Sequence, residues 1–197
     1  MLTSIAQKIS YFFIDHKIIT DENREIYNYC FELLLSFIIN SIILIVLSII
    51  TGKFVEMIFF VIGFMPLRLS CGGYHAKNHF RCCLLLTLFF SLFILLLIKL
   101  NENYYFIYNC IIAVISIFTV FSLAPFEDAN KPLTSKELKR MKRKSRTLII
   151  IYSAVIIILS ILLKNSIFVM SVSLGIMTIT ISLIMAKLRK QIIAVPL

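Results

Sequence analysis

The stretch SCGGYHAKNHFRCC, residues 70–83, gathers two adjacent glycines, two of the chain's three histidines and three of its five cysteines. These are residue types that carry nucleophilic catalysis or hold a metal. A thiol becomes a nucleophile when a base lies within hydrogen-bond reach and its surroundings favour the thiolate. Cys82 and Cys83 adjoin Arg81, and Lys77 is close by in sequence. If a helix begins near residue 79, its positive N-terminal end also lies close to both sulfurs. All three influences favour thiolate.

Spacing leaves the pairing open. His75 and Cys82 are seven residues apart, so a straight helix separates them by about 10.5 Å. They meet only if the chain around 72–78 is non-helical and folds back, which Gly72 and Gly73 permit. His79 and Cys83, at i and i+4, are neighbours on a regular helix without any fold-back. A metal site built from Cys71, His75, His79 and Cys82 would have the ligand types of zinc. On one helix, however, that set spans about 16.5 Å. The chain has no HExxH motif, and neither a metal nor another cofactor is expected. A third reading is purely structural, an interfacial or re-entrant turn whose histidines face water. The residues alone do not choose between this turn and catalysis.

The elements that position this stretch are apolar. Of 197 residues, 60% are hydrophobic and the mean hydropathy is +0.96, against roughly 45–50% apolar in soluble domains. Charge-free blocks at 82–98, 104–126, 147–163 and 165–186 each approach or exceed the roughly 20 residues that cross a bilayer as helix. Residues 33–50 form a further block, on a helix expected to begin near Asp21 with Thr20 as its cap. The shortest block, 57–67, spans only if Lys53 and Glu56 lie at one interface and Arg68 at the other. The expectation is an all-α, single-domain, polytopic membrane protein with about six spans: 29–50, 53–70, 82–100, 104–124, 147–163 and 165–186. Residues 1–20 do not read as a signal peptide. Leu2, Ile5, Ile9, Phe12 and Phe13 recur at helical spacing, which suits an amphipathic helix either on the membrane surface or packed against the protein. Cys30 and Cys110, in or beside apolar runs, read as small core residues.

The net charge of +10 is distributed unevenly. Segments 1–28, 68–81, 127–146 and 187–197 hold 17 of the 20 Lys and Arg residues, leaving Lys53, Lys99 and Lys164 for the opposite side. The positive-inside rule then places both termini and the stretch 70–83 in the cytosol, where cysteines stay reduced. The basic excess also attracts anionic inner-leaflet lipid. No basic fold of useful size lies outside the membrane, so nucleic-acid binding has no support.

The stretch RLSCGGYHAKNHFRC resembles the signature of the accessory gene regulator protein B (AgrB) family of bacterial membrane peptidases. That signature has an arginine, a glycine pair, HAK, and a cysteine seven residues after the histidine. APFEDANKPL, 124–133, is similar to the family's segment after the fourth span, and size, six spans and basic inward loops fit as well. The resemblance implies an enzyme of the bacterial plasma membrane with its active site at the cytosolic face. It implies a cysteine endopeptidase that removes the C-terminal tail of a small AgrD-type propeptide and promotes cyclisation of the remainder. The product would be a thiolactone or lactone signal for quorum sensing. Carried over, His75 is the base and Cys82 the nucleophile, with Arg68, Gly73 and Lys131 in supporting roles. Gly72 and Lys77 are expected to assist them. Lys139, Arg140, Lys142 and Arg143, within the run Lys136–Arg146, are expected to hold the acidic propeptide tail. The resemblance also suggests a homodimer. The alternative is a non-enzymatic membrane exporter or peptide-binding component, which needs no intact Cys–His pair.

Overall fold

The computed structural model describes residues 2–72, 79–126 and 134–194, of which 2, 79–83 and 189–194 are described by backbone alone. Seven α-helices follow in order: α1 Leu2–Asp15, α2 Arg24–Ile50, α3 Phe54–Cys71, α4 His79–Lys99, α5 Tyr105–Leu123, α6 Ser135–Leu162 and α7 Ile167–Ala194. Short 3-10 turns at Asp21–Asn23 and Glu102–Tyr104 precede α2 and α5. The described residues contain no strand, only one isolated β-bridge. Among the described residues, five helices are long and apolar enough to cross a membrane, and α4 adds the shorter apolar stretch Leu84–Lys99. Large apolar side chains stay open on the outer faces, such as Phe118 at 74% and Ile50 at 75% exposure. Such surfaces suit hydrocarbon rather than water. The chain is an all-α, multi-pass membrane protein.

Several sequence expectations need correction. Cys30 is exposed and Cys110 only half-buried. In lipid an apolar run has no obligatory inner face, so hydrophobicity does not report burial. Thr20 does not cap a backbone N–H with its side chain; its Oγ1 accepts from Asn23 Nδ2 instead. The basic segment 127–146 is not a loop throughout, because α6 already begins at Ser135. Thr134 and Glu137 close a reciprocal capping box there, and Lys, Arg, Leu and Met all propagate helix well. At the N-terminus, α1 packs against α2. Ala6 and Ser10 are buried and the Phe13 and Phe31 rings lie 5.4 Å apart, while Ile5 and Phe12 remain exposed.

Contacts fix the helix directions. Ser116 of α5 meets Thr180 of α7, and a groove between these helices pairs 118–123 with 184–188, so the two run parallel. Arg68 of α3 meets Ser182 of α7, while Gly63 faces the Val172 carbonyl and Gly175 the Phe60 carbonyl. With the Phe59 and Phe168 rings 5.0 Å apart toward the other end, α3 is parallel to α7 as well. By contrast, α6 is antiparallel to α5, with Asn109 at Ser160 and Phe121 at Arg146. Hence α3, α5 and α7 run toward the same end of the bundle, where α6 begins.

α7 is the central helix, and α3 is its most extensive neighbour. Without a hydrophobic drive between helices in lipid, small residues that let backbones approach set the contact. Gly63 and Gly175 do so here, because a Cβ at either would run into backbone atoms of the facing helix. Gly63→Ala and Gly175→Ala are each expected to destabilise by about 1–3 kcal/mol, the usual range for overpacking. A fall in the melting temperature of detergent-solubilised protein checks this.

Two prolines each remove an N–H that a helix would have used. Pro66 leaves the Ile62 carbonyl without its partner four residues on, and Tyr152 Oη of α6 donates to that oxygen at 2.8 Å. Pro125 does the same to the Phe121 carbonyl, to which Arg146 Nη2 of α6 donates at 3.1 Å. The Arg146 guanidinium also covers the Phe121 ring. α6 thus splints both helices that lead to the same end of the bundle.

Candidate active site at the shared end of α3, α5 and α7

α3 leaves its helical path at Gly72, whose φ of +70° and ψ of −133° are conformations that residues with a Cβ rarely adopt. There the chain pairs with the segment following α5. Gly72 and Phe126 form a parallel β-bridge, and the Phe126 N–H donates to the Cys71 carbonyl at 2.9 Å. The bridge is close enough that a Cβ on Gly72 would strike the Phe126 carbonyl oxygen. It joins RLSCGGYHAKNHFRC to APFEDANKPL, two stretches that are far apart in sequence.

Arg68 holds the same corner. Its Nη1 donates to the Gly72 carbonyl at 3.0 Å and to Ser182 Oγ of α7 at 3.1 Å. An arginine at the membrane boundary needs such partners to offset the loss of water. Cys71 beside it is fully buried in an apolar cluster with Leu67, Val120 and Ala124. Such apolar surroundings suit an inert structural thiol. The end of α3 at Cys71 removes the one-helix spacing argument against a metal, since His79 and Cys82 belong to α4.

α4 begins at His79, as the thiolate argument requires, so Cys82 and Cys83 lie within its first one and a half turns. The orphan N–H groups of a helix start carry partial positive charge. Of the other residues singled out in the sequence, Gly73, His75, Lys77 and Lys131 lie outside the described residues. Lys139, Arg140, Lys142 and Arg143 are exposed on the first turns of α6. Arg146 stands apart from that run because the Phe121 carbonyl and ring engage it. Sequence reasoning missed Ser182, Tyr152 and the pairing role of Phe126. Ser182 is one of several serines and threonines on α7 and carries no motif of its own.

The profile of the family described as accessory gene regulator B matches residues 6–184. The AgrB-like protein 2 of Clostridium perfringens strain 13 is 31% identical over 153 residues, covering 74% of this chain and 71% of that protein. An AgrB-like protein of Clostridium perfringens strain SM101 is 30% identical over 152 residues, with the same coverage of 74% and 71%. No solved structure matches the chain. The fold and the joined motif segments are those of a multi-pass membrane protein with one polar corner, and the chain belongs to the accessory gene regulator B family. Membership assigns it to the accessory gene regulator quorum-sensing system, a family known for propeptide processing, and implies an AgrD-type propeptide as its partner.

Proposed function

We propose that this chain is a membrane cysteine endopeptidase that cuts the C-terminal tail from its AgrD-type propeptide and closes the remainder into a ring. The single observation that supports this most is the Gly72–Phe126 bridge, which gathers the two motif segments at one corner. In this reading His75 takes the Cys82 proton and the thiolate attacks the carbonyl at the signal–tail boundary. Protonated His75 then gives its proton to the departing tail amine, leaving an acyl-enzyme thioester. Backbone N–H groups at the start of α4 are the natural donors for the oxyanion. His75, neutral again, next takes the proton of a thiol of the bound propeptide, whose sulfur attacks the thioester carbonyl and expels Cys82 as thiolate. One thioester replaces another, so the step is near thermoneutral. Water must stay out meanwhile, and a site at the membrane boundary favours that.

The reaction runs at the cytosolic face, where the basic segments collect. Lys136, Lys139, Arg140 and Arg143, at i, i+3, i+4 and i+7, share one face of α6 and are exposed. Cations near a helix N-terminus oppose its macrodipole. An acidic propeptide tail laid along them would offset that cost. The purified chain in liposomes, mixed with cognate propeptide, tests the main reading: an enzyme releases a tail fragment and an exporter releases none. Reversing Lys139, Arg140 and Arg143 to Glu is expected to raise KM by about tenfold while kcat changes by less than about twofold. The KM difference should shrink with added salt, as exposed charge contacts are screened. Unchanged kinetics in a correctly inserted variant would leave these cations a topological role only.

A further inference from the structure

We infer that Ser182 of α7 is a positioning residue for the reaction, acting through Arg68 on the chain segment that enters the catalytic stretch; this rests on the peptidase reading above. Arg68 Nη1 bridges two acceptors, the Gly72 carbonyl at 3.0 Å and Ser182 Oγ at 3.1 Å. Ser182 is 6% exposed. It follows Gly175 by two turns of α7, on the face that Gly175 packs against the α3 backbone. That close approach is what lets so short a side chain reach the guanidinium. A free arginine has many rotamers, and a second anchor from a different helix narrows them. The anchored guanidinium then fixes the carbonyl of Gly72, the residue bridged to Phe126 and the last one before residues 73–78. Small misplacements of a catalytic group cost rate far more than affinity. The residue therefore sets where the stretch bearing His75 begins, without touching substrate.

The test uses full-length protein in liposomes with cognate propeptide, and reads kcat, KM and melting temperature for Ser182→Ala, Ser182→Thr and Ser182→Val. Thr and Val share a shape and differ by the hydroxyl, so any clash they introduce is common to both. Ser182→Ala introduces no clash at all. Expected are a fall in kcat of about 10- to 50-fold for Ala and Val, KM within about twofold, and Thr at least fivefold above Val. Equal rates for Thr and Val, or a wild-type rate for Ala, would overturn the role. A loss of rate that tracks melting temperature across the three would also overturn it, as a merely structural effect. Wild-type protein that releases no tail fragment refutes the peptidase reading itself, and this inference with it. A wild type that cleaves, beside an unaffected Ser182→Ala, refutes only the inference.

Discussion

Cys82→Ala is expected to abolish tail release, and Cys83→Ala to leave most of it. The two residues are adjacent on α4 and differ by about 100° around the helix, so one base cannot serve both equally. Both sit near the positive start of that helix, which therefore does not distinguish them. The base does. In the proposed mechanism that base is His75, three residues beyond Gly72, where the chain leaves the α3 path with positive φ. His75→Ala should be about as damaging as Cys82→Ala, because a paired nucleophile and base act as a unit. His79→Ala should be mild. With a propeptide whose ring-closing Cys is replaced by Ala, the acyl-enzyme has no thiol to resolve it. It should accumulate as a hydroxylamine-sensitive mass increase on the peptide carrying Cys82. An adduct on Cys83, with His79 essential, would reassign the pair to plain helix geometry. Full activity in both alanine variants, with no adduct, would remove the cysteine-peptidase reading.

The all-α, multi-pass character was legible because hydrocarbon imposes one blunt requirement, a long uncharged helix. What lay beyond that requirement was harder to read. The weakest block, 57–67, contains Gly63 and Pro66, residues that look like interruptions of a helix. They are instead the contact that lets α7 approach and the source of the carbonyl that Tyr152 takes up. The start of α6 was written in the sequence as Thr134-Ser135-Lys136-Glu137, a capping-box pattern. Its charge made the segment look like a loop. Cys30 was misplaced for the opposite reason: among lipid-facing helices, apolar character carries no information about which side is inside. The site was legible in part. Its two motif segments were visible, but nothing in the sequence joins Phe126 to Gly72, because a bridge between distant residues depends on α3 and α5 ending together. Nor could Ser182 be picked out from Ser171, Ser173, Thr178 and Thr180 on the same helix. Only the packing against α3 separates it from them.

Gly72→Ala is expected to lower tail release by more than about 100-fold, and Gly52→Ala to leave it near the wild-type rate. Both glycines have positive φ, +65° at Gly52 and +70° at Gly72. Forcing a residue with a Cβ into such backbone costs on the order of 1–3 kcal/mol. That cost is common to both substitutions, and at Gly52 it is the only one, since a Cβ there meets nothing within 4 Å. At Gly72 the Cβ also drives into the Phe126 carbonyl. The bridge must then open or the backbone must shift, and the Phe126 N–H to Cys71 bond and the Arg68 hold on the Gly72 carbonyl shift with it. Gly72 leads directly into the stretch that carries His75, so the shift is passed on toward the proposed base. A misplacement of about 1 Å there costs on the order of 10²-fold in rate. Comparing the two variants in the same liposomes therefore subtracts the conformational cost and leaves the effect of the joint. Melting temperatures should fall by a few degrees in Gly52→Ala and by more in Gly72→Ala, where the clash adds to the conformational cost. Gly72→Ala protein that stays folded and cleaves at the rate of Gly52→Ala would show that the bridge is no part of the active site.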